Sequence, residues 1–275
     1  MINVLLGIST RIISNSYLNV FQKILTQGGT KSSVVNFYTY LGLSVLSLFL
    51  IPCISLNISL ELLINFIFMG LLGALGNYYI IKALSIGELS ALAPINSYKP
   101  IVAMVIAFIY LQEIPSFLSL FGICLIIIGT FILHSSKINT NSKAVFYRIL
   151  ALIFSGTEAV FIKKIIILTN IPTSFVLWAL SGLLFSSIFP IIAKHNFKLP
   201  NIKYLGYLII SVGVMQYSTN YVFSKINVSY ALALFQLSTL LSLFLGVNIF
   251  HEKNVLRKMI ASIIMILGAG IIILC

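Results

Sequence analysis

The sequence predicts an all-α integral membrane protein with ten transmembrane helices, arranged as two inverted repeats of five helices each. Of its 275 residues, 60% are hydrophobic and only 8% are charged, whereas soluble domains carry about 25% charged residues. The mean hydropathy is +1.11. The apolar residues come in runs of about 20, the length that a helix needs to cross a bilayer. In addition, polar residues and glycines occur in the same order in the two halves of the chain.

Apolar runs bounded by polar residues, proline or glycine define the predicted spans. Runs such as FGICLIIIGTFIL (121–133) do not alternate between polar and apolar residues, so helices are predicted and barrel strands are excluded. The connections are short, which predicts that no soluble domain is present. The predicted spans are 3–25, 33–52, 61–82, 90–110, 117–134, 146–168, 173–193, 203–223, 229–250 and 256–274.

The longest polar connection, HSSKINTNSKAVFYR (134–148), lies at the midpoint of the chain. A shift of 139 residues places Glu113 on Glu252 and Gly129 on Gly268, inside matched apolar runs. An odd number of helices in each half gives the halves opposite orientations in the bilayer, an arrangement typical of transporters. The predicted divisions are a first repeat, a linker and a second repeat, over 1–135, 136–145 and 146–275.

The stretch KALSIGELSALAPINSYKPIVAMVIAFIYLQEIPSFLSLFGICLIIIGTFIL (82–133) resembles the second part of an EamA domain of the drug/metabolite transporter superfamily. In the order of that family, it has an Ala-Leu helix end, a small-residue turn, a proline-containing helix, a hydrophobic-x-Glu turn and a glycine-bearing helix. Residues 224–274 repeat the pattern more loosely, with FHEKN in place of LQEIP and no proline in the preceding helix. The resemblance covers the whole chain as two five-helix domains, and it implies a transporter without specifying the substrate.

The charge balance indicates a lipid bilayer, and not nucleic acid, as the partner of this basic chain. Seventeen Lys and Arg residues stand against five acidic residues, for a net charge of +12. Most cations lie at the ends of apolar runs, where they anchor loops beside anionic lipid. They are concentrated opposite the termini, so the positive-inside rule places the termini outside. Members of the superfamily are usually drawn with cytoplasmic termini, and the direction of transport stays open.

Lys99 lies near the centre of the fourth predicted span, too deep for its side chain to reach the interface. It is predicted either to line a wet cavity that holds a carboxylate or phosphate, or to form a structural ion pair with a buried Glu. Pro94 and Pro100 leave two backbone carbonyls of this span without donors, so they are predicted to kink the helix. Asn96 lies three residues before Lys99 and shares its face.

Glu158 is the only acid at the middle of a predicted span. It is predicted to be either the ion-pair partner of Lys99 or a carboxylate that carries a coupled proton. The second role follows from the distantly related small multidrug-resistance proteins, which carry an essential Glu in their first helix, as Glu158 lies in the first helix of the second half. Arg11, about a third of the way into the first span, is expected to extend to an interface.

Neutral polar residues form further stripes along the spans, as candidates for substrate contact or for hydrogen bonds between helices. Gln236 and Ser238 stand where the first half has Ser97 and Lys99, so a substrate would meet an asymmetric pocket. Glycines spaced by three in MGLLGALGN (69–77) predict close helix packing. The other predicted substrate-binding residues are Asn15, Asn19, Asn77, Gln216, Tyr217 and Asn220.

No catalytic or metal-binding constellation is predicted from the sequence. The three histidines lie at span ends, aspartate is absent, and the three cysteines are isolated from one another. No phosphate-binding loop that would indicate ATP use is present. The sequence therefore predicts a protein that is not an enzyme and that needs no metal or other cofactor.

The predicted function is secondary transport of a small polar metabolite by alternating access. The cargo is expected to be an amino acid or another anionic or zwitterionic solute, and a proton is the candidate coupling ion. The alternative is export of cationic or amphipathic compounds, as in drug efflux. The expected setting is a multi-pass permease, plausible as a monomer, in the cell (inner) membrane.

Overall fold

The structure is a computed structural model that describes residues 2–87, 92, 95–134, 141–192, 194, 197–238, 241 and 255–274. This described part is helical and contains no strand, so the all-α prediction is confirmed. The helices are α1 (Ile2–Gln27), α2 (Ser32–Ser47), α3 (Leu60–Ile86), α4 (Lys99–Leu111), α5 (Phe117–His134), α6 (Ser142–Leu168), α7 (Ile171–Ile192), α8 (Ile202–Phe223), α9 (Val228–Phe235) and α10 (Val255–Leu274). A 3₁₀ helix, Leu48–Cys53, continues α2.

Four helical segments of the described chain are long and apolar enough to cross a membrane: Ser32–Cys53, Leu60–Ile86, Ser142–Leu168 and Ile171–Ile192. Shorter apolar helical stretches are Lys99–Leu111, Phe117–Ile132 and Ile260–Leu274. These segments are consistent with a membrane protein, and the count of ten spans stays a prediction. Half of the predicted linker, residues 136–140, lies outside the described residues.

Side-chain caps explain where several helices begin. Ser59, Asn141 and Asn201 each precede a helix, and the side-chain oxygen of each accepts a backbone N–H of the first turn of α3, α6 and α8, respectively. Such caps satisfy donors that have no partner within the helix. At its other end, α4 stops at Gln112, whose left-handed φ of 57° turns the chain out of the helix.

The most extensive contacts join a helix of the first half, α1–α5, to a helix of the second half, α6–α10. In this way α3 packs on α6, α5 on α10, α1 on α8 and α2 on α7. The α3–α6 and α1–α8 pairs occupy equivalent places under the repeat, because α1 corresponds to α6 and α3 to α8. The two halves therefore share one interlocked core.

Glycines allow the closest of these approaches, as the glycine spacing of α3 predicts. A Cβ added to Gly76 would lie 3.2 Å from the backbone nitrogen of Ser155 on α6. Between α5 and α10, a Cβ on Gly122 would lie 2.7 Å from the carbonyl oxygen of Gly268. The stripe in α3 thus serves packing, with the helix backbones in near contact.

The fourth and ninth predicted spans contain a turn at equivalent positions. Residues 97–98 form a turn immediately before α4, and residues 236–237 form a turn immediately after α9. The shift of 139 residues that relates the two repeats superposes these turns. Each half therefore contributes one interrupted segment, although only the first half carries a proline there.

The interruption lies in the turn that precedes Pro100, where the proline is predicted to kink the fourth span. Because α4 begins at Lys99, Pro100 lies in its first turn, where the missing N–H has no helical partner to lose. Pro94, the other predicted kink, lies outside the described residues.

Candidate functional site

A cavity of about 130 Å³ lies between the two halves. Residues from eight helices, α1–α4 and α6–α9, line it together with Asn96 in the segment that leads into α4 and with the turn after α9. The sequence-predicted residues that line it are Asn15, Asn19, Asn77, Asn96, Lys99, Glu158, Gln216 and Gln236. The fold thus brings together polar residues from distant parts of the chain.

The two interrupted segments meet at this cavity. The Asn96 Nδ2 donates to the Gln236 Oε1 at 3.3 Å, which joins the turn before α4 to the turn after α9. On the neighbouring helix α1, the Asn15 Nδ2 donates to the Ser238 Oγ at 3.3 Å. Irregular backbone at membrane depth is tolerated where it faces protein or a water-filled space, and here it faces packed helices and the cavity.

Glu158 is held in place by side chains of two other helices. Its Oε1 accepts a hydrogen bond from the Trp178 Nε1 of α7 at 2.7 Å. The Trp178 ring lies 5.1 Å from the Tyr40 ring of α2, centroid to centroid. Gly73 of α3 lies directly against the carboxylate, where a larger residue would overlap it. The acid of the cavity therefore has a fixed position.

Lys99 and Glu158 face the same cavity but are not joined by a direct ion pair. Within the described part of the chain, the ion pairs with N–O distances within 4.0 Å are Lys163–Glu113 and Lys164–Glu61. Lys99 does interact electrostatically with Glu158 across the cavity. Both charges therefore face the cavity without a direct contact between them.

Arg148 is a cavity residue that the sequence reasoning missed. Its side chain lines the cavity, only 8% of the residue is exposed, and its buried Nε has no hydrogen-bond partner. Arg148, Ser155 and Ile162 are spaced by seven and so lie along one face of α6, close to Glu158 on the same stripe. That spacing is the signal in the sequence that identifies Arg148.

Arg11 also lines the cavity, and the expectation that it extends to an interface is wrong. Its Nε donates to the Thr219 Oγ1 of α8 at 2.9 Å. Its guanidinium lies 4.8 Å from the centroid of the Phe235 ring at the end of α9. Contacts with two helices of the other half therefore hold this cation inside the protein.

Two of the predicted substrate-binding residues do not line the cavity. Tyr217 is 39% exposed, and its ring packs edge-on against Phe175 at 5.8 Å. Asn220 is fully buried, and its Oδ1 accepts a hydrogen bond from the Gln216 Nε2 at 2.8 Å. Asn220 thus positions a cavity residue, while Tyr217 packs elsewhere.

Asn77 lines the cavity and also links three helices. Its Nδ2 donates to the Asn36 Oδ1 of α2, and its Oδ1 accepts from the Gln22 Nε2 of α1 at 3.2 Å. Both predicted roles of the polar stripes, cavity lining and hydrogen bonding between helices, therefore coincide in one side chain. Among the described residues, no cluster of three potential metal ligands occurs.

Comparisons with known proteins agree with this arrangement of paired halves. The model of the EamA-like transporter family matches residues 2–135 and again residues 142–274. None of the curated proteins matches the chain. A protein of known crystal structure shares the fold, with a TM-score of 0.74 and 13% identity, over 98% of this chain and 96% of that chain.

The family match confirms the resemblance that the sequence carries. Members of this family are multi-pass membrane transporters and not enzymes, which agrees with the apolar helices and with the buried polar cavity. The likeness in structure, at 13% identity, concerns the fold alone. With both repeats matched across nearly its whole length, this chain belongs to the EamA-like transporter family of the drug/metabolite transporter superfamily.

Proposed function

We propose that the protein is a secondary transporter that moves a small anionic or zwitterionic metabolite, such as an amino acid, across the cell (inner) membrane. The observation that carries this proposal is the charge of the cavity, which contains Arg11, Lys99 and Arg148 but only one acid, Glu158. A buried charge without a partner is costly, so a surplus of cations at this depth favours a cargo that supplies negative charge.

Alternating access would use the two repeats, inverted across ten spans, as the moving parts. The interrupted segments meet at the cavity through the Asn96–Gln236 hydrogen bond, which resembles the discontinuous helices that form midplane sites in transporters. Each weak contact between the turns can be exchanged for a contact with the cargo. No ATP is required in this mechanism, because binding and a gradient drive the change.

Glu158 is the candidate for proton coupling, and it also suits the ammonium group of a zwitterion. The Trp178 and Tyr40 rings beside it add aromatic faces, which attract cations. The same cluster is what supports the second candidate function, export of cationic or amphipathic compounds. The three cavity cations oppose that alternative, since they repel a cationic cargo.

Transport by the purified protein in proteoliposomes tests the proposal. The solutes are amino acids, sugar phosphates and quaternary amines, each measured for uptake and efflux with and without a pH gradient. Saturable movement of anionic or zwitterionic solutes is expected, with faster accumulation under the gradient if a proton is coupled. Movement of the quaternary amines alone would contradict the anionic assignment and support the second candidate.

Variants of the two central charges separate a binding role from a structural one. Lys99→Gln and Glu158→Gln are expected to leave a folded protein, with a single peak in size-exclusion chromatography, that has lost most of its transport. If the charges instead form a structural pair, each single variant aggregates and the double variant recovers folding, because both members of the pair are then neutral.

A further inference from the structure

We propose that the space between Lys99 and Arg148 binds a phosphoryl dianion, either inorganic phosphate or the phosphate of a small monoester. The inference rests on the proposed transport function and deepens it, because it names the anionic group of the cargo. Two independent observations meet at this place: a buried arginine whose Nε has no hydrogen-bond partner, and a lysine on the wall of the same cavity.

The first observation is the unused hydrogen-bonding capacity of Arg148. A guanidinium has five N–H donors, and burial without acceptors is unfavourable. Arg148 is 8% exposed, its Nε is buried without a partner, and no other residue of the described chain forms an ion pair with it. Because the side chain lines the cavity, a ligand in the cavity is the remaining source of acceptors.

The second observation is the position of Lys99 at the wall of the cavity. It begins the 13-residue helix α4, and its side chain lines the cavity and adds a full positive charge there. The backbone beside it contributes little to anion binding, because Pro100 has no N–H and the N–H groups of Ile101 and Val102 donate to the Tyr98 carbonyl.

The packing of α4 on α6 directs Lys99 toward Arg148. The Lys99 carbonyl lies beside Gly156, 3.5 Å from where a Cβ would stand, and farther along both helices Tyr110 packs on Phe161. The two helices therefore run parallel. Side chains tilt toward the N-terminus of their own helix, so Lys99 tilts toward the end of α6 that carries Arg148. Glu158, Arg11 and Arg148 all contribute to the electrostatic field at Lys99.

Glu158 lies nearer to Lys99 than to Arg148 along α6. It follows Gly156, against which the Lys99 carbonyl packs, by two residues, and it follows Arg148 by ten, about 15 Å along the helix axis. Its carboxylate accepts a hydrogen bond from Trp178. The anion is therefore placed on the Arg148 side of Lys99, away from the acid.

Charge and size restrict the ligand to a small dianion. Three cations and one carboxylate leave a surplus of two positive charges, which one dianion neutralises. A cavity of about 130 Å³ is close to the roughly 150 Å³ that accommodates a benzene ring, so phosphate or a small phosphate monoester fits. The planar fork of an arginine matches the oxygens of phosphate.

Binding to the purified full-length protein in detergent tests this inference without requiring transport. Isothermal titration uses inorganic phosphate, glycerol phosphate, dimethyl phosphate as a monoanion, succinate as a dicarboxylate and chloride. We expect the two phosphoryl dianions to bind at least tenfold more tightly than the other three. Arg148→Gln and Lys99→Gln should each weaken phosphate binding at least tenfold, and Arg148→Lys should weaken it less than Arg148→Gln.

Lys203→Gln is the matched control, because Lys203 is exposed at the start of α8. Phosphate binding no tighter than chloride, succinate binding as tight as phosphate, or equal loss in the Lys203 variant would overturn the inference. If Arg148→Gln does not fold, the Arg148→Lys variant and the ligand series still decide it. Anion transport without phosphate binding would refute this site alone, whereas phosphate binding without transport would refute the proposed function alone.

Discussion

Trp178 is the residue whose single contact fixes the acid of the cavity. Trp178→Phe removes the N–H that donates to Glu158 and keeps an aromatic ring near Tyr40. A hydrogen bond to a charged group contributes about 1.5–3 kcal/mol, so the variant should fold and lose about tenfold or more in transport rate at low substrate. Initial rates in proteoliposomes measure the loss, and size-exclusion chromatography verifies folding.

Tyr217→Phe is the control for this prediction. The Tyr217 ring packs against Phe175, whose ring also packs against Trp178, but Tyr217 does not line the cavity. Its hydroxyl should therefore be dispensable for transport. A similar loss of transport in both variants would contradict the specific role of Trp178.

The sequence identified some cavity residues and missed others for a physical reason. Lys99 and Glu158 are isolated charges within apolar runs, so the sequence alone shows that burying them is unfavourable and needs an explanation. Arg11 and Arg148 lie nearer to the ends of their runs, where a long side chain normally reaches water. Only the packing of partner helices shows that these two cations turn inward. In the same way, packing alone separates Asn220 from the cavity-lining amides.

Among the structural elements, the interrupted fourth segment makes a prediction that differs from that of a kinked helix. A proline inside a continuous helix costs about 3 kcal/mol, so its replacement by alanine would stabilise the protein by a similar amount. In the first turn the cost is absent, and Pro100→Ala should change the free energy of unfolding by less than about 1 kcal/mol. Thermal unfolding in detergent distinguishes the two outcomes, and a strong rise in Tm would contradict the interruption.

The glycine stripe of α3 predicts a steric effect that a second glycine does not share. A Cβ on Gly70 would overlap Ser181 and lie 2.8 Å from the Phe185 ring, so Gly70→Ala should destabilise by about 1–3 kcal/mol. Gly206 on α8 has no atom within 4 Å of the same position. Gly206→Ala should be neutral or should stabilise by up to about 1 kcal/mol, because alanine favours helix. Equal effects in thermal unfolding would refute the close approach.

At the scale of the whole molecule, local hydropathy predicted the helices but not how the halves interlock. An apolar run indicates a helix wherever it occurs, because the bilayer length and the backbone geometry are general. The pairing of α3 with α6 and of α1 with α8 depends on which faces are complementary, and no single run contains that information. The repeat nevertheless indicates which segments of the two halves are equivalent, since the shift of 139 residues relates the turn at 97–98 to the turn at 236–237.

A buried ion pair joins the two halves and should be needed for their packing against each other. Glu113, in the connection after α4, pairs with Lys163 of α6, and both side chains are nearly buried, at 11% and 13% exposed. The Glu113 Oε2 accepts from the Val228 N–H at 2.9 Å, and the Lys163 Nζ donates to the Ile226 carbonyl at 2.8 Å. Three segments thus meet at one point.

Lys163→Met should therefore destabilise the protein by about 3 kcal/mol, because it leaves the Glu113 charge enclosed without its cation. The double variant with Glu113→Gln should recover part of this loss, since no enclosed charge then remains. Lys164→Met is the matched control one residue away. Its partner, Glu61, is 51% exposed, and such a surface pair contributes less than about 1 kcal/mol. Thermal unfolding of the four proteins measures the series, and equal losses for the two single lysine variants would show that the enclosed pair does not hold the halves together.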